Sequence, residues 1–436
     1  MKTTSQISQI RVKNSMRTRF SPIGTLTPES LTRALDSFSA GYLRGAALLW
    51  DAIERRDDVI LGVASKRKKS IARLNWEVLS MDNSDLAREQ KLALEHFYNN
   101  LSTTSACDGN ESGGVALLVR QMMDAIGKKY AVHEIIFEPH EISNDEKLSQ
   151  FPLLSRTAPS ALLTATFRFV PLWFFENRDG KLKFLADEGA SSGIQLEPGA
   201  WLVTTGDGLM EACSIAYIFK HLPMRDWLVY CGRNAMPGVK GVTDAIPNTE
   251  QWNAARDAVE DFGAEFHALM SRGTDIEAID ISTRGELPYP ALVDRMDRAI
   301  AALWRGSDLA TLSRQNGAGA SLQADETSIL ETDDAGMISE TLNNQVDRFV
   351  IKYLFGAVPV KAYIKFIPNA RRNVKEELSP YVELHKMGVP ISINDIREKF
   401  NLATPDDGER ILPRHGEREN AVEKNSQMPS PSEEGK

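Results

Sequence analysis

The feature that most narrows the fold is a change of hydrophobic period at Gly127. Before it, apolar residues recur at helical spacing. Thr27-Pro28-Glu29-Ser30 reads as a helix start, with Thr27 as N-cap and Pro28 in the first turn, and Leu31, Leu35, Phe38, Tyr42, Leu43 and Ala46 follow on one face. After it, Tyr130–Phe137, Thr164–Val170 and Trp173–Phe175 are dense in β-branched and aromatic residues and read as strands. Asn177-Arg178-Asp179-Gly180 fits a hairpin turn into Lys181–Leu185. From Leu209 the helical period returns, over Met210 to about Gly232, Thr249–Ser271, Ala291–Trp304, about Asp325–Phe355 and a smaller pair over Leu378–Leu402. Pro223 should kink or split the first of these, and Gly336 should interrupt the fourth. Helices, strands and helices in blocks, rather than in alternation, predict an α+β fold.

The chain has 436 residues, enough for about three compact units and a sizeable core. Hydrophobic residues make up 42% and charged residues 25%, the usage of an ordinary globular protein rather than a disordered one. Cys107, Cys213 and Cys231 are too few and too far apart for a disulfide framework or a paired metal site, so a reducing compartment is expected. No apolar run approaches the ~20 residues of a membrane span, and the basic N-terminus leads into no apolar signal region.

Charge is unevenly spread. Residues 1–80 hold fourteen Lys and Arg against seven Asp and Glu, a balance of +7, within a chain whose formal net charge is −9. An overall acidic chain is not one that coats itself in nucleic acid, so any DNA contact must be local or weak. The densest basic cluster, Lys66, Arg67, Lys68 and Lys69, sits among Ile60, Leu61, Val63, Ile71 and Leu74 at amphipathic spacing. It reads first as a solvated helix face, and second as a contact patch for DNA or an acidic partner. Residues 1–28 hold no acidic residue and read as a flexible basic arm, and residues 406–436 read as a disordered tail.

Chemical motifs are sparse. There is no phosphate-binding loop, no dinucleotide fingerprint, no Gly-x-Ser-x-Gly and no cysteine nucleophile context. His133-Glu134 and His140-Glu141 do not form a metal-binding HExxH and read as ordinary histidines. The pairs Asp57-Asp58, Asp333-Asp334 and Asp406-Asp407 read as capping or solvated carboxylates. No catalytic residue, metal or cofactor is expected. The polar, glycine-rich stretch Arg305–Ser321 reads as a long loop between two helices, and loops of that length in compact domains are usually functional.

Over about Met210–Ile411 the sequence resembles the portal proteins of tailed bacteriophages, in particular the Mu-like family. The residues that carry the resemblance are Ala216-Tyr-Ile-Phe-Lys220 with Met224-Arg-Asp-Trp227, Met236-Pro237, Trp304-Arg-Gly-Ser-Asp308, Gly317-Ala-Gly-Ala-Ser-Leu-Gln323 and Leu384-His-Lys-Met-Gly-Val-Pro-Ile-Ser392. Leu26–Leu31 and Asn75-Trp-Glu-Val78 extend it over most of the chain. The resemblance implies a wing over 29–248, helical over 29–127, mainly β over 128–205 and helical again over 209–235. It further implies stem helices within 249–305 bracketing a clip at about 273–288, a tunnel loop at 306–324, a long kinked helix at 325–356 and a crown at 372–405.

It implies a ring of about twelve copies at one vertex of a virion head, assembled in the host cytoplasm. Double-stranded DNA would pass through the ring without sequence-specific contact. Expected partners are the large terminase subunit, the major capsid or scaffolding protein and a head–tail adaptor. Arg314, Gln315, Asn316, Gly317, Gly319, Ser321 and Gln323 would meet the DNA backbone at the tunnel loop. Glu250, Asp257, Glu260, Asp261 and Glu265 would line the stem channel, where an acidic surface repels phosphates and lets DNA slide. Two other readings compete. One is a cytoplasmic multidomain enzyme with a site drawn from Asp179, Asp207 and His221; the other is a different ring of the tail or baseplate.

Overall fold

A computed structural model describes residues 24, 26–141, 161–186, 192–235, 239–260, 267–271, 288–306, 317–368, 374–388, 392 and 396–397. The chain divides into two units, residues 1–369 and 370–436, and the fold is mixed α+β. The basic arm and the polar tail read from the sequence lie outside the described residues, apart from Gly24 and 26–28.

The first unit opens with α1 (Pro28–Ser39), where Thr27 and Ser30 exchange side-chain and backbone hydrogen bonds in a capping box and Pro28 takes the first helical position. α2 (Arg44–Arg56) and α3 (Asp58–Ala72) follow, the latter capped by Asp57, whose carboxylate accepts from the Ile60 amide at 2.8 Å. Next come β1 (Asn75–Ser80), α4 (Asp85–Asn100), β2 (Ser102–Ser105), β3 (Ser112–Gly113), α5 (Val115–Met122) and α6 (Asp124–Lys128). The β-rich section holds β4 (Tyr130–Glu141), β5 (Ala161–Val170), a 3-10 turn at Leu172–Phe174, β6 (Phe175–Glu176), β7 (Lys183–Phe184), β8 (Ile194–Gln195) and β9 (Trp201–Thr205). Beyond it lie α7 (Met210–Ala235), β10 (Val239–Thr243), α8 (Glu250–Glu260), β11 (His267–Ser271), α9 (Pro288–Arg305) and α10 (Gly317–Leu342). A π-turn over Asn343–Asp347 then leads to α11 (Arg348–Phe355) and β12 (Ala362–Ile367). In the second unit the described helix is α12 (Val374–Lys386).

The main sheet has the order β3-β2-β5-β4-β9. β4 and β5 form its antiparallel centre, from Val132 opposite Val170 to Glu141 opposite Ala161, and β2 joins β5 in parallel. α4 packs across β5, and its buried Phe97 meets Phe137 and Phe167. Phe137 stacks on Phe349 of α11 at 4.6 Å, so the core runs from this sheet to the C-terminal helices. β1 and β12 form a separate antiparallel pair, with Val78 opposite Ile364.

Side chains hook the C-terminal helices to strand backbones. Gln345 accepts from the Val203 amide at 2.9 Å and donates to the Val203 carbonyl at 2.8 Å. Ser339 Oγ accepts from the Phe366 amide, and Asp347 Oδ2 accepts from the Ile364 amide at 2.8 Å. Gln90 does the same on the other flank, donating to the Pro359 carbonyl and accepting from the Lys361 amide. Each hook satisfies a buried or half-buried backbone group that a neighbouring strand would otherwise take.

Several elements depart from the sequence reading. Trp173–Phe175 is not a strand throughout, because the chain turns through a 3-10 helix after Pro171 and only Phe175 enters β6. Thr249–Ser271 is not one helix, since α8 stops at Glu260 and 267–271 form β11, parallel to β10. α10 begins at Gly317 rather than near 325, in line with the helix-forming Ala318, Ala320, Leu322 and Ala324. Gly336 does not break it, and the irregularity falls at 343–347, where Gln345 and Asp347 reach for strand backbones. Helical assignment runs through Pro223, so α7 is neither split nor ended there.

Gly41 fixes the approach of the β6–β7 turn. Its φ is +90°, its carbonyl accepts from the Asn177 amide at 2.8 Å, and a Cβ there would lie 2.6 Å from the Asn177 carbonyl. Gly41→Ala is therefore expected to destabilise the fold by about 2 kcal/mol or more, read as a lower urea midpoint at unchanged m-value.

Candidate functional site: an anchored helix pair

α7 and α9 are the most extensively packed pair of helices among the described residues. Their register follows from two contacts: the Cys213 thiol faces the Trp304 indole, and Lys220 pairs with Asp297 at 2.6 Å. Moving seven residues forward on α7 moves seven back on α9, so the pair is antiparallel with a coiled-coil-like repeat. Between them the chain forms β10, α8 and β11, a small βαβ unit in which α8 packs on both strands.

Buried charges anchor this pair to α3. Lys220 Nζ, on a side chain only 7% exposed, reaches Asp57 at 3.0 Å, Asp58 at 3.1 Å and Asp297 at 2.6 Å. These carboxylates hold the Lys220 ammonium above its usual range against burial, while burial pushes the Asp297 carboxyl up. Arg67 donates to both Asp334 oxygens at 2.8 and 2.9 Å and to the Trp304 carbonyl at 3.2 Å. One guanidinium thus ties α3 to the C-terminal turn of α9 and the middle of α10, the helices on either side of 307–316. Asp334 is still pushed up by burial, with Arg67 opposing the shift.

A third knot lies one residue further along α3. Lys68 pairs with Glu54 and, at 2.7 Å, with Asp124, and Lys128 meets the other Asp124 oxygen at 3.0 Å. The two ammoniums hold the Asp124 carboxyl well below the usual range. Beside this knot a cleft of about 450 Å³ is lined by Arg55, Leu61, Lys69, Arg120, Gln121 and Phe169 among others. Among the described residues no group of three or more His, Cys, Asp or Glu is arranged to hold a metal ion.

The structure divides the predicted basic patch. α3 is a helix, as the spacing predicts, but Arg67 and Lys68 point inward to the carboxylates just described, while Lys66 and Lys69 are exposed. A four-cation contact patch is corrected to two cations, because the buried carboxylates of α2, α6 and α10 claim the others. Asp334 likewise is not a solvated carboxylate, whereas Asp57 is a cap.

Gly317, Gly319, Ser321 and Gln323 fall in the first turns of α10 rather than in a loop, and Arg314, Gln315 and Asn316 lie outside the described residues. Glu250 and Asp257 are exposed on α8, which belongs to the βαβ unit and not to the packed pair. Glu260 ends α8, and Asp261, Glu265 and most of the expected clip at 273–288 lie outside the described residues.

The residues weighed for an enzyme site are engaged locally or solvated. Asp179 pairs with Lys183, Asp207 is exposed, and the His221 ring stacks on Tyr217 at 5.2 Å. His133 is fully buried against Gln121, and burial lowers its pKa to about 3; His140 is exposed on the opposite face of the strand, as alternation requires.

Asp334 was read only as a capping or solvated carboxylate, and Lys220 and Asp297 are the anchoring residues that sequence reasoning passed over. Their signal was a single charge inside an apolar stripe: Lys220 follows Ile218 and Phe219, and Asp297 follows Met296 on the stripe of Leu292, Ile300 and Leu303. Arg67→Met leaves Asp334 buried and unpaired and is expected to cost about 3–5 kcal/mol in chemical denaturation. Arg67→Met with Asp334→Leu should recover most of that loss, since both charges then leave the interior together.

The family profile described as the portal protein of Mu bacteriophage matches residues 47–402. No curated protein sequence matches the chain. Among solved structures the chain is similar to an HK97 family phage portal protein from Corynebacterium diphtheriae, with 13% identity, 76% of this chain and 97% of that one covered, and a TM-score of 0.40. It is also similar to a chain of the virion of a native gene transfer agent particle, with 11% identity, 87% and 100% covered, and a TM-score of 0.46. A third similarity is to the neck of a native gene transfer agent particle computed with C12 symmetry, at 12% identity, 87% and 96% covered, and a TM-score of 0.48. With the family match spanning most of its length, the chain belongs to the portal protein family of Mu bacteriophage.

Proposed function

We propose that this chain is the subunit of a portal ring at one vertex of a phage-like head, with about twelve copies around a channel for double-stranded DNA. Its work is mechanical and electrostatic: the ring admits DNA during packaging and releases it at ejection. The observation that carries the reading is the antiparallel α7–α9 pair, joined in sequence through a βαβ unit and tied by buried charges to the rest of a portal-family chain. α7 and α9 are the stem. The clip is then the section 236–287 between them, holding β10, α8 and β11, in place of 273–288.

A further support is the surface of α7. One side of this helix packs on α9, yet Ile215, Phe219, Leu228 and Val229 on other sides are exposed, Leu228 by 74%. Several large apolar side chains exposed on one helix are normally covered by a partner, and a neighbouring copy in a ring covers them. Glu250 and Asp257 of the clip, with Glu260, Asp261 and Glu265, present the acid excess toward passing DNA. Residues Arg314, Gln315 and Asn316, with Gly317, Gly319, Ser321 and Gln323, meet its backbone. The clip docks the large terminase subunit and later a head–tail adaptor, and the wing docks the capsid or scaffolding protein.

Deleting Gln315–Ser321 is expected to leave ring assembly intact while impairing DNA packaging or retention in assembled particles. Collapse of assembly would instead place these residues at a subunit contact and remove the DNA-facing assignment.

A further inference from the structure

Asp347 is the last residue of the π-turn that interrupts the long C-terminal helix, and its side chain is fully buried. Such turns are rare and concentrate at functional points. Its Oδ1 lies 2.6 Å from the Tyr98 hydroxyl of α4, and its Oδ2 accepts from the Ile364 amide of β12 at 2.8 Å. Two elements far apart in sequence therefore converge on one carboxyl group, and Val346, Val350 and Ile364 beside it in the chain or across the hydrogen bond are themselves fully buried.

What faces this carboxyl is neutral. Tyr98 is a phenol held well above its ordinary range by burial, and Trp76 of β1 packs against it at 5.9 Å. Ser339 of α10 is committed to the Ala335 carbonyl and the Phe366 amide. The charged residues of the surrounding elements point elsewhere: Arg348 and Lys352 on α11, Glu340 on α10, Lys365 on β12 and Glu77 on β1 are all exposed. On α4, Lys91 pairs with Glu95, Glu89 lies two and a half turns from Tyr98, and His96 rests on the His140 ring. The buried Asp57, Asp124, Glu134, Glu176 and Asp334 each have a cation; this carboxyl has a phenol and an amide.

We propose that Asp347 is a protonation-controlled latch that fastens the π-turn of the long helix to strand β12 and helix α4. As the neutral acid it keeps an acceptor for the Ile364 amide and a proton to share with Tyr98, so the buried groups are satisfied without a buried charge. As the carboxylate it places an uncompensated charge in an apolar site, and the latch opens more readily. Burial raises its pKa to about 7, with the Tyr98 and Ile364 hydrogen bonds opposing the shift. The raised value means that the closed site keeps a proton that the open site gives up. Latch stability is then full below the ordinary carboxylate range, falls as pH rises toward about 7, and levels off above it.

The test is amide hydrogen exchange of the full chain from pH 5 to pH 8, corrected for intrinsic rates. Opening at Ile364 should become about tenfold more frequent per pH unit up to about pH 7 and then plateau. Asp347→Asn should make the profile at Ile364 flat. Tyr98→Phe removes a donor that favours the charged form, so its plateau should move to higher pH. Infrared difference spectra between pH 5 and pH 8 supply a readout independent of stability, in which the protonated-carboxyl stretch of the wild type should lose intensity in Asp347→Asn. Identical exchange profiles for wild type and Asp347→Asn, or an unchanged carboxyl band, would overturn the proposal.

Discussion

Helix α3 places two of its cations inside the protein, and the arrangement of the surrounding helices follows from where their carboxylates must sit. Arg67 takes Asp334 of α10 and the end of α9, and Lys68 takes Glu54 of α2 and Asp124 of α6. At its N-terminus the buried Asp57 takes Lys220 of α7. Buried pairs of this kind roughly break even against apolar packing in free energy, but removing one partner is costly. Their contribution is therefore to registration. A helix slid by one residue along α3 would strand a charge, so the ends of α7, α9 and α10 are fixed where an apolar interface alone would tolerate sliding.

The same economy of contact recurs at the sheets. Amides and carbonyls of β9 and β12 are bound by Gln345, Ser339 and Asp347 rather than by further strands. The long helix is thereby registered against two sheets at once, and its π-turn is the point where both demands are met.

What could be read in the sequence was what is local. The Thr27 cap, the 177–180 turn and the strand at Tyr130 are set by residues next to one another, and the structure places them as expected. β1 was missed because Asn75–Ser80 becomes a strand only by pairing with Ala362–Ile367, about two thirds of the chain length away. β11 was absorbed into a helix for the same reason, since its partner β10 carries the decision and not its own propensity. The period of 66–69 showed a helix, but not which way its cations face, because the deciding carboxylates Glu54, Asp124 and Asp334 come from three other elements. The resemblance to portal proteins was legible from scattered short matches, whereas the pairing of α7 with α9 was not, because the Cys213–Trp304 and Lys220–Asp297 contacts that set its register join residues far apart in sequence.

The central claim is that copies of this chain close into a ring around a channel. Native mass measurement of the purified full chain, with negative-stain imaging of the same sample, tests it most directly. The account predicts rings of about twelve subunits with a central hole. A compact monomer or dimer that persists at raised concentration and across salt conditions would contradict it.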